Sequence, residues 1–221
     1  MKILRFLTAD VLPTVALPIG VVAAATMISS TPSALPTASA ADCPGVDVTF
    51  ARGTNDSPGL GRLGDAFVAA LRRDTSRSLT AYAVNYPASY DFGRAADGAN
   101  DASDHIMWMV DNCPNTRLVL GGYSQGAAII DIVAAAPVAG FGFTSPLPPE
   151  AASHIAAIAV FGNPSNKVGQ PLTNSTVFGA RTIDLCEVGD PVCSDGNNVA
   201  AHSGYVPGMT NQAAAFVARF L

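Results

Sequence analysis

The chain has 221 residues, 49% hydrophobic and 13% charged, with 12 Lys+Arg against 17 Asp+Glu for a formal charge of −5. That composition excludes disorder, which needs few apolar residues and many charges. The negative balance offers no overall positive field for nucleic acid or an anionic membrane, and the lack of any visible internal repeat removes solenoids and propellers.

In chain order, Lys2 and Arg5 precede an almost uncharged stretch, residues 11–28, interrupted by Pro13 and Pro18; a small-residue tract then ends in Ala38-Ser39-Ala40. A basic start, an apolar middle and an A-x-A end are the parts of an export signal. The alternative is an N-terminal membrane anchor, which the two prolines and the A-x-A end oppose. The expectation is therefore a signal peptide over 1–40 and a secreted protein, extracellular or associated with the cell wall, starting at Ala41. Loss of Lys2, Arg5 and Asp10 leaves ten bases against sixteen acids, a formal −6. A segment of about 180 residues can bury a full core without metal or cofactor.

Residues 46–51 read as a strand, followed by a Gly/Asn/Asp/Pro loop and a helical stretch over 65–73. A β-like run over 81–86 stops at Pro87, and a helical stretch over 94–110 ends at Asn112-Cys113-Pro114. Residues 117–121 form a short apolar strand and 125–136 an Ala/Ile-rich helix closed by Pro137. After a Pro/Gly/Phe loop over 137–149 come strands at 155–161 and 182–185, then a terminal helix over 211–221. Strands alternating with helices indicate an α/β fold with a mainly parallel central sheet flanked by helices. In such sheets, active sites lie beyond the carboxyl ends of the strands.

The four cysteines, Cys43, Cys113, Cys186 and Cys193, are an even number in an exported chain, which predicts two disulfides among three pairings. Cys186 and Cys193 bracket a short loop and are expected to pair locally, leaving Cys43 with Cys113. No Cys-x2-Cys pair or histidine cluster supports a metal.

Two motifs compete for the chemistry. Gly59-Leu60-Gly61-Arg62-Leu63-Gly64 is a literal G-x-G-x-x-G. It lies eight residues beyond its strand and lacks the acid about twenty residues on that a dinucleotide ribose needs, so no cofactor is expected. Gly122-Tyr123-Ser124-Gln125-Gly126 is a G-x-S-x-G fed by a strand and followed by a helix, as a nucleophile elbow requires. A serine needs a base. His105 lies upstream in a helix, and His154 at the amino end of a strand. His202, in a late loop, fits the order Ser, acid, His. For the acid, Asp190 inside the Cys186–Cys193 loop is preferred, with Asp195 just outside it as the alternative.

Ala51-Arg52-Gly53-Thr54, Gly122-Tyr123-Ser124-Gln125-Gly126 and the box Cys186-x3-Asp190-x2-Cys193, with His202 twelve residues beyond Asp190, resemble the cutinase family, especially its secreted mycobacterial members. The resemblance implies a single-domain α/β-hydrolase over 41–221 without a large lid, a serine carboxylesterase acting through an acyl-enzyme. It implies Ser124 as nucleophile, Asp190 as acid and His202 as base, with disulfides Cys43–Cys113 and Cys186–Cys193. The oxyanion hole would be the N–H groups of Thr54 and Gln125, with the Thr54 hydroxyl as a further donor. The expected partner is an ester or lipid substrate and not nucleic acid, and the mature protein is expected to be a monomer with no membrane span. The 137–149 loop departs from fungal cutinases; it reads either as a surface loop folding over its own apolar residues or as an acyl-binding flap. The competing function is a secreted surface-binding protein with little or no esterase activity.

Overall fold

The structure, a computed structural model, describes residues 43–136 and 138–221. The expected export signal lies outside them. Five strands, β1 (Val46–Ala51), β2 (Leu79–Ala83), β3 (Arg117–Tyr123), β4 (Ile155–Phe161) and β5 (Thr182–Leu185), pair in parallel in the order β2-β1-β3-β4-β5. Helices α1 (Gly61–Asp74) and α4 (Gly208–Ala218) cover one face and α2 (Ala95–Asn112) and α3 (Gln125–Ala135) the other.

Side chains alternate across a strand, and here that alternation feeds two cores. Val46, Val48 and Phe50 of β1 and Ala157, Ala159 and Phe161 of β4 pack under α1 and α4. Leu118 and Leu120 of β3 and Ile158 and Val160 of β4 pack under α2 and α3. Strands buried on both faces must read as continuous apolar runs, which is why β4 was evident as Ile-Ala-Ala-Ile-Ala-Val-Phe. Among the described residues no helix is long and apolar enough to cross a membrane.

Three elements depart furthest from the sequence reading. The second strand is Leu79–Ala83, not 81–86. Val84 still donates its N–H to Phe50, but the buried Arg52 guanidinium takes the Val84 and Tyr86 carbonyls at 3.4 and 2.7 Å, lifting that stretch out of the sheet. Helix α1 starts at Gly61, inside the G-x-G-x-x-G. There a methyl at position 64 would stand 2.7 Å from the Phe50 ring, so Gly64 serves helix-on-strand packing. Helix α4 spans Gly208–Ala218, three residues earlier than expected at each end.

Both disulfides form as expected: Cys43–Cys113 ties the chain before β1 to the end of α2, and Cys186–Cys193 closes the loop after β5. The strand order reverses direction between β1 and β3, which opens a crevice beyond their carboxyl ends. Thr54 follows β1 and Ser124 follows β3, so the two stand on either side of it.

Candidate active site

Ser124 joins β3 to α3 with φ 55° and ψ −117°, a backbone conformation rare for a residue with a side chain. The turn closes because nothing larger than hydrogen stands at its flanks. A Cβ on Gly126 would lie 2.0 Å from the Ala51 carbonyl oxygen, and one on Gly122 2.3 Å from that of Gly126. The turn lifts the hydroxyl off the sheet and leaves it beside the first N–H groups of α3, which have no partner within the helix.

His202 sits on a short 3-10 turn, Val199–Ser203, after β5. Its Nε2 is 2.9 Å from Ser124 Oγ and its Nδ1 2.7 Å from Asp190 Oδ2. Asp190 is wholly buried and receives the Val192 N–H at 2.8 Å and the Tyr205 hydroxyl at 2.5 Å. Burial alone would raise its pKa. The bonds from Tyr205, His202 and Val192 outweigh that and hold the carboxyl below its ordinary range. An ionised carboxylate only accepts, so the proton of the imidazole sits on Nδ1 and Nε2 is free to accept from the serine. A fifth of the His202 side chain is exposed, which leaves the ring reachable from outside.

Across the crevice the Thr54 hydroxyl donates to Gln125 Oε1 at 3.1 Å, so it is already engaged by the neighbouring side chain. Among the described residues no acceptor engages the N–H of Thr54 or of Gln125. The Thr54 turn is braced from behind: Gly53 N–H bonds Asp56 at 2.9 Å and Asn55 N–H bonds the Ala88 carbonyl at 2.7 Å.

The remaining candidates lie apart. Asp195 is exposed and makes no bond to His202. His105 bonds the buried Asp47 at 2.9 Å and stacks on Tyr82 at 3.7 Å, over the β2 edge of the sheet. His154 stands at the amino end of β4. Among the described residues no group of three or more His, Cys, Asp or Glu is arranged to hold a metal.

The Cutinase family matches residues 42–221. The chain belongs to the cutinase family. "Phospholipase Culp4" of Mycobacterium tuberculosis is 64% identical over 197 residues, covering 89% of this chain and 86% of that protein. "Carboxylesterase Culp1" of Mycobacterium bovis is 45% identical, covering 92% of this chain and 94% of that one. A Trichoderma reesei cutinase solved with a phosphonate inhibitor superposes with a TM-score of 0.64 at 32% identity, covering 80% of this chain and 77% of that chain. Family and fold together make the protein a cutinase-type serine ester hydrolase.

Three residues of this cutinase that the sequence reading missed hold the imidazole and its carboxylate. Tyr205, fully buried, donates to Asp190 while its oxygen accepts the Glu187 N–H at 3.2 Å; burial, then the adjacent Asp190, push its phenol far up, so it stays a donor. Tyr123 donates to the His202 carbonyl at 2.5 Å, with its ring 5.0 Å from the imidazole; its pKa is pushed up to about 12, chiefly by burial. Gly162, at φ +58°, ends β4 where a methyl would lie 3.0 Å from both His202 Cε1 and Tyr205 Oη. Tyr123 carried a signal as the variable residue of the serine motif. Tyr205 and Gly162 carried none.

Proposed function

We propose that Ser124, His202 and Asp190 are the nucleophile, base and acid of an exported cutinase that hydrolyses fatty acyl esters. The observation that carries this reading is the unbroken line of hydrogen bonds from Ser124 Oγ through both imidazole nitrogens to a carboxylate with no exposed surface. His202 Nε2 removes the serine proton as Oγ attacks the ester carbonyl. The imidazolium formed is stabilised by Asp190, which remains ionised. The developing oxyanion is received by the N–H groups of Thr54 and Gln125, at the positive end of α3. His202 then protonates the leaving alcohol, an acyl-Ser124 remains, and water activated by the same imidazole releases the acid. Lipid esters are favoured because a relative as close as 64% is named a phospholipase. Export is supported by the pattern of residues 1–40 and by the two disulfides, which persist in oxidising compartments.

The test replaces Ser124 with Ala. The variant is expected to keep the wild-type circular dichroism, to lose p-nitrophenyl ester turnover to background and to escape labelling by a serine-directed phosphonate. Turnover at the wild-type rate would end the assignment. An acyl series from acetyl to palmitoyl, on the wild type, then reads chain-length preference.

A further inference from the structure

Arg52 is the first residue after β1 and is only 6% exposed. Burying a guanidinium is costly unless its charge and its donors find partners. Among the described residues Arg52 forms no ion pair. Its acceptors are three backbone carbonyls: Nε donates to Asp56 at 3.0 Å, Nη2 to Tyr86 at 2.7 Å and Nη1 to Val84 at 3.4 Å. The guanidinium carbon stands 5.0 Å from the centre of the Tyr86 ring, and the Tyr86 hydroxyl donates to the Arg52 carbonyl. Burial, the largest influence on that phenol, pushes its pKa far up, so it remains a donor.

Those carbonyls belong to two separate segments. Asp56 closes the turn 53–56: its N–H bonds the Gly53 carbonyl at 3.2 Å and its Oδ2 accepts the Gly53 N–H at 2.9 Å. Thr54 is the second residue of that turn. Asn55, the third, has φ +60°, a conformation that asparagine tolerates. Val84 and Tyr86 lie in the segment after β2, whose Ala88 carbonyl takes the Asn55 N–H at 2.7 Å. The backbone of Arg52 meets a third element, the start of α3, since a methyl on Gly126 would stand 2.5 Å from the Arg52 carbonyl oxygen. One residue therefore joins the Thr54 turn, the segment that braces it and the helix that carries Gln125. A planar fork can grip carbonyls from two directions at once, whereas an ammonium on a flexible stem is a single point of attachment.

We propose that Arg52 is the positioning residue of the oxyanion hole: by holding the Asp56, Val84 and Tyr86 carbonyls together it fixes the Thr54 N–H relative to that of Gln125. The proposal rests on the reading of those two N–H groups as the oxyanion donors. Such donors accelerate the reaction only when they are already aimed at the place where charge develops. Arg52 acts through Thr54 and does not touch the substrate. Its loss therefore weakens the transition state more than the bound ester, and appears in kcat rather than in KM.

Two variants test this. Arg52→Lys keeps the charge and loses the fork; Arg52→Gln loses the charge and reaches one segment at a time. Each is assayed on a soluble short-chain ester and against an alkyl trifluoromethyl ketone, whose carbonyl adds to the serine and places a charged oxygen in the hole. Phosphonate labelling taken to completion counts the intact sites, so that unfolded protein is not read as lost kcat. We expect kcat per labelled site to fall roughly tenfold to a hundredfold in both variants, less than the loss of a whole oxyanion donor. KM should change less than about threefold, and ketone affinity should weaken by the same factor as kcat/KM. A merely structural arginine would lower the thermal midpoint and the labelled fraction while leaving kcat per site and ketone affinity at the wild-type level. That result overturns the proposal, as does a fall in kcat with ketone affinity unchanged. If one variant does not fold the other decides, and failure of both makes Arg52 a residue of the fold and likewise ends the proposal. Ser124→Ala, run in parallel, separates the two readings. Turnover that survives in it removes the nucleophile and the hole together, whereas its loss beside fully active Arg52 variants removes only the role of Arg52.

Discussion

Asp190 and Asp131 are both withdrawn from water, and their protons behave oppositely. Asp190 has no exposed surface and receives donors from Tyr205, His202 and Val192, so its pKa falls. Asp131, on the inner face of α3, is nine-tenths buried, and neither carboxylate oxygen has a hydrogen-bond partner among the described residues. Its pKa rises to about 6, mainly through burial, with Asp184 adding to the push. Ser165 and Asn163 lie near enough to temper that rise without meeting bonding geometry. Burial is common to the two; the supply of donors sets the direction. The contrast fixes two opposite pH dependences. A lowered carboxyl contributes stability above its unfolded pKa, lost as the solution is acidified through the folded value. A raised one contributes stability below the unfolded pKa, lost as pH climbs through about 6.

The strongest way to break the contrast is to make Asp190 behave like Asp131. Asp190→Asn keeps the shape but cannot hold the proton on Nδ1 of His202. We expect kcat/KM for a soluble ester to fall on the order of 10⁴-fold with little change in KM. A loss below tenfold would mean that another group orients the imidazole.

A milder perturbation leaves the carboxylate in place and loosens its support. The Cys186–Cys193 bridge spans seven residues and Cys43–Cys113 seventy. By chain entropy they contribute ~2.5 and ~4.4 kcal/mol respectively. Replacing both cysteines by serine in the small bridge should therefore lower the thermal midpoint less than in the large one. Activity should rank the other way, because a shift of about 1 Å in Asp190 costs on the order of a hundredfold. Full kcat in the small-bridge variant would show that Tyr205 and the Val192 N–H suffice to hold the loop.

The smallest effect sharpens the other side. Asp131→Asn removes a buried group that must ionise above pH 6, so at pH 8 the variant should be more stable by roughly 2 to 3 kcal/mol. At pH 4, where Asp131 is neutral, the difference should vanish, and kcat should be unchanged throughout. A thermal midpoint at pH 8 no higher than wild type would mean that the Asp131 carboxylate finds donors in solution.

What could be read from the sequence divides along the same line. Gly122 to Gly126 is a local device whose chemistry lies in consecutive residues, and the Cys186-x3-Asp190-x2-Cys193 box carries its own closure, so both were legible. The fully apolar β4 was legible because both of its faces are buried. Tyr205 was not, since a tyrosine in a loop gains its meaning only from meeting Asp190 across the fold, and Asp131 looked like one more polar residue of an Ala/Ile helix. The end of β2 escaped because Val84 and Tyr86 continue the alternating pattern past Ala83. What ends the strand is Arg52, thirty-two residues before Val84.

The tightness of the serine turn also determines where this enzyme can evolve. Position 126 faces the Ala51 carbonyl and position 122 that of Gly126, so any side chain at either collides with backbone. The two residues between them and the serine are each tethered by a hydrogen bond, Tyr123 to the His202 carbonyl and Gln125 to the Thr54 hydroxyl. A random library directed at these five positions consists almost entirely of inactive clones. Residues 138–146 hang from the rest of the fold chiefly through Asn100 and Phe143, and variation there leaves the turn untouched. Selection for new ester preferences in this scaffold therefore has to hold the elbow constant.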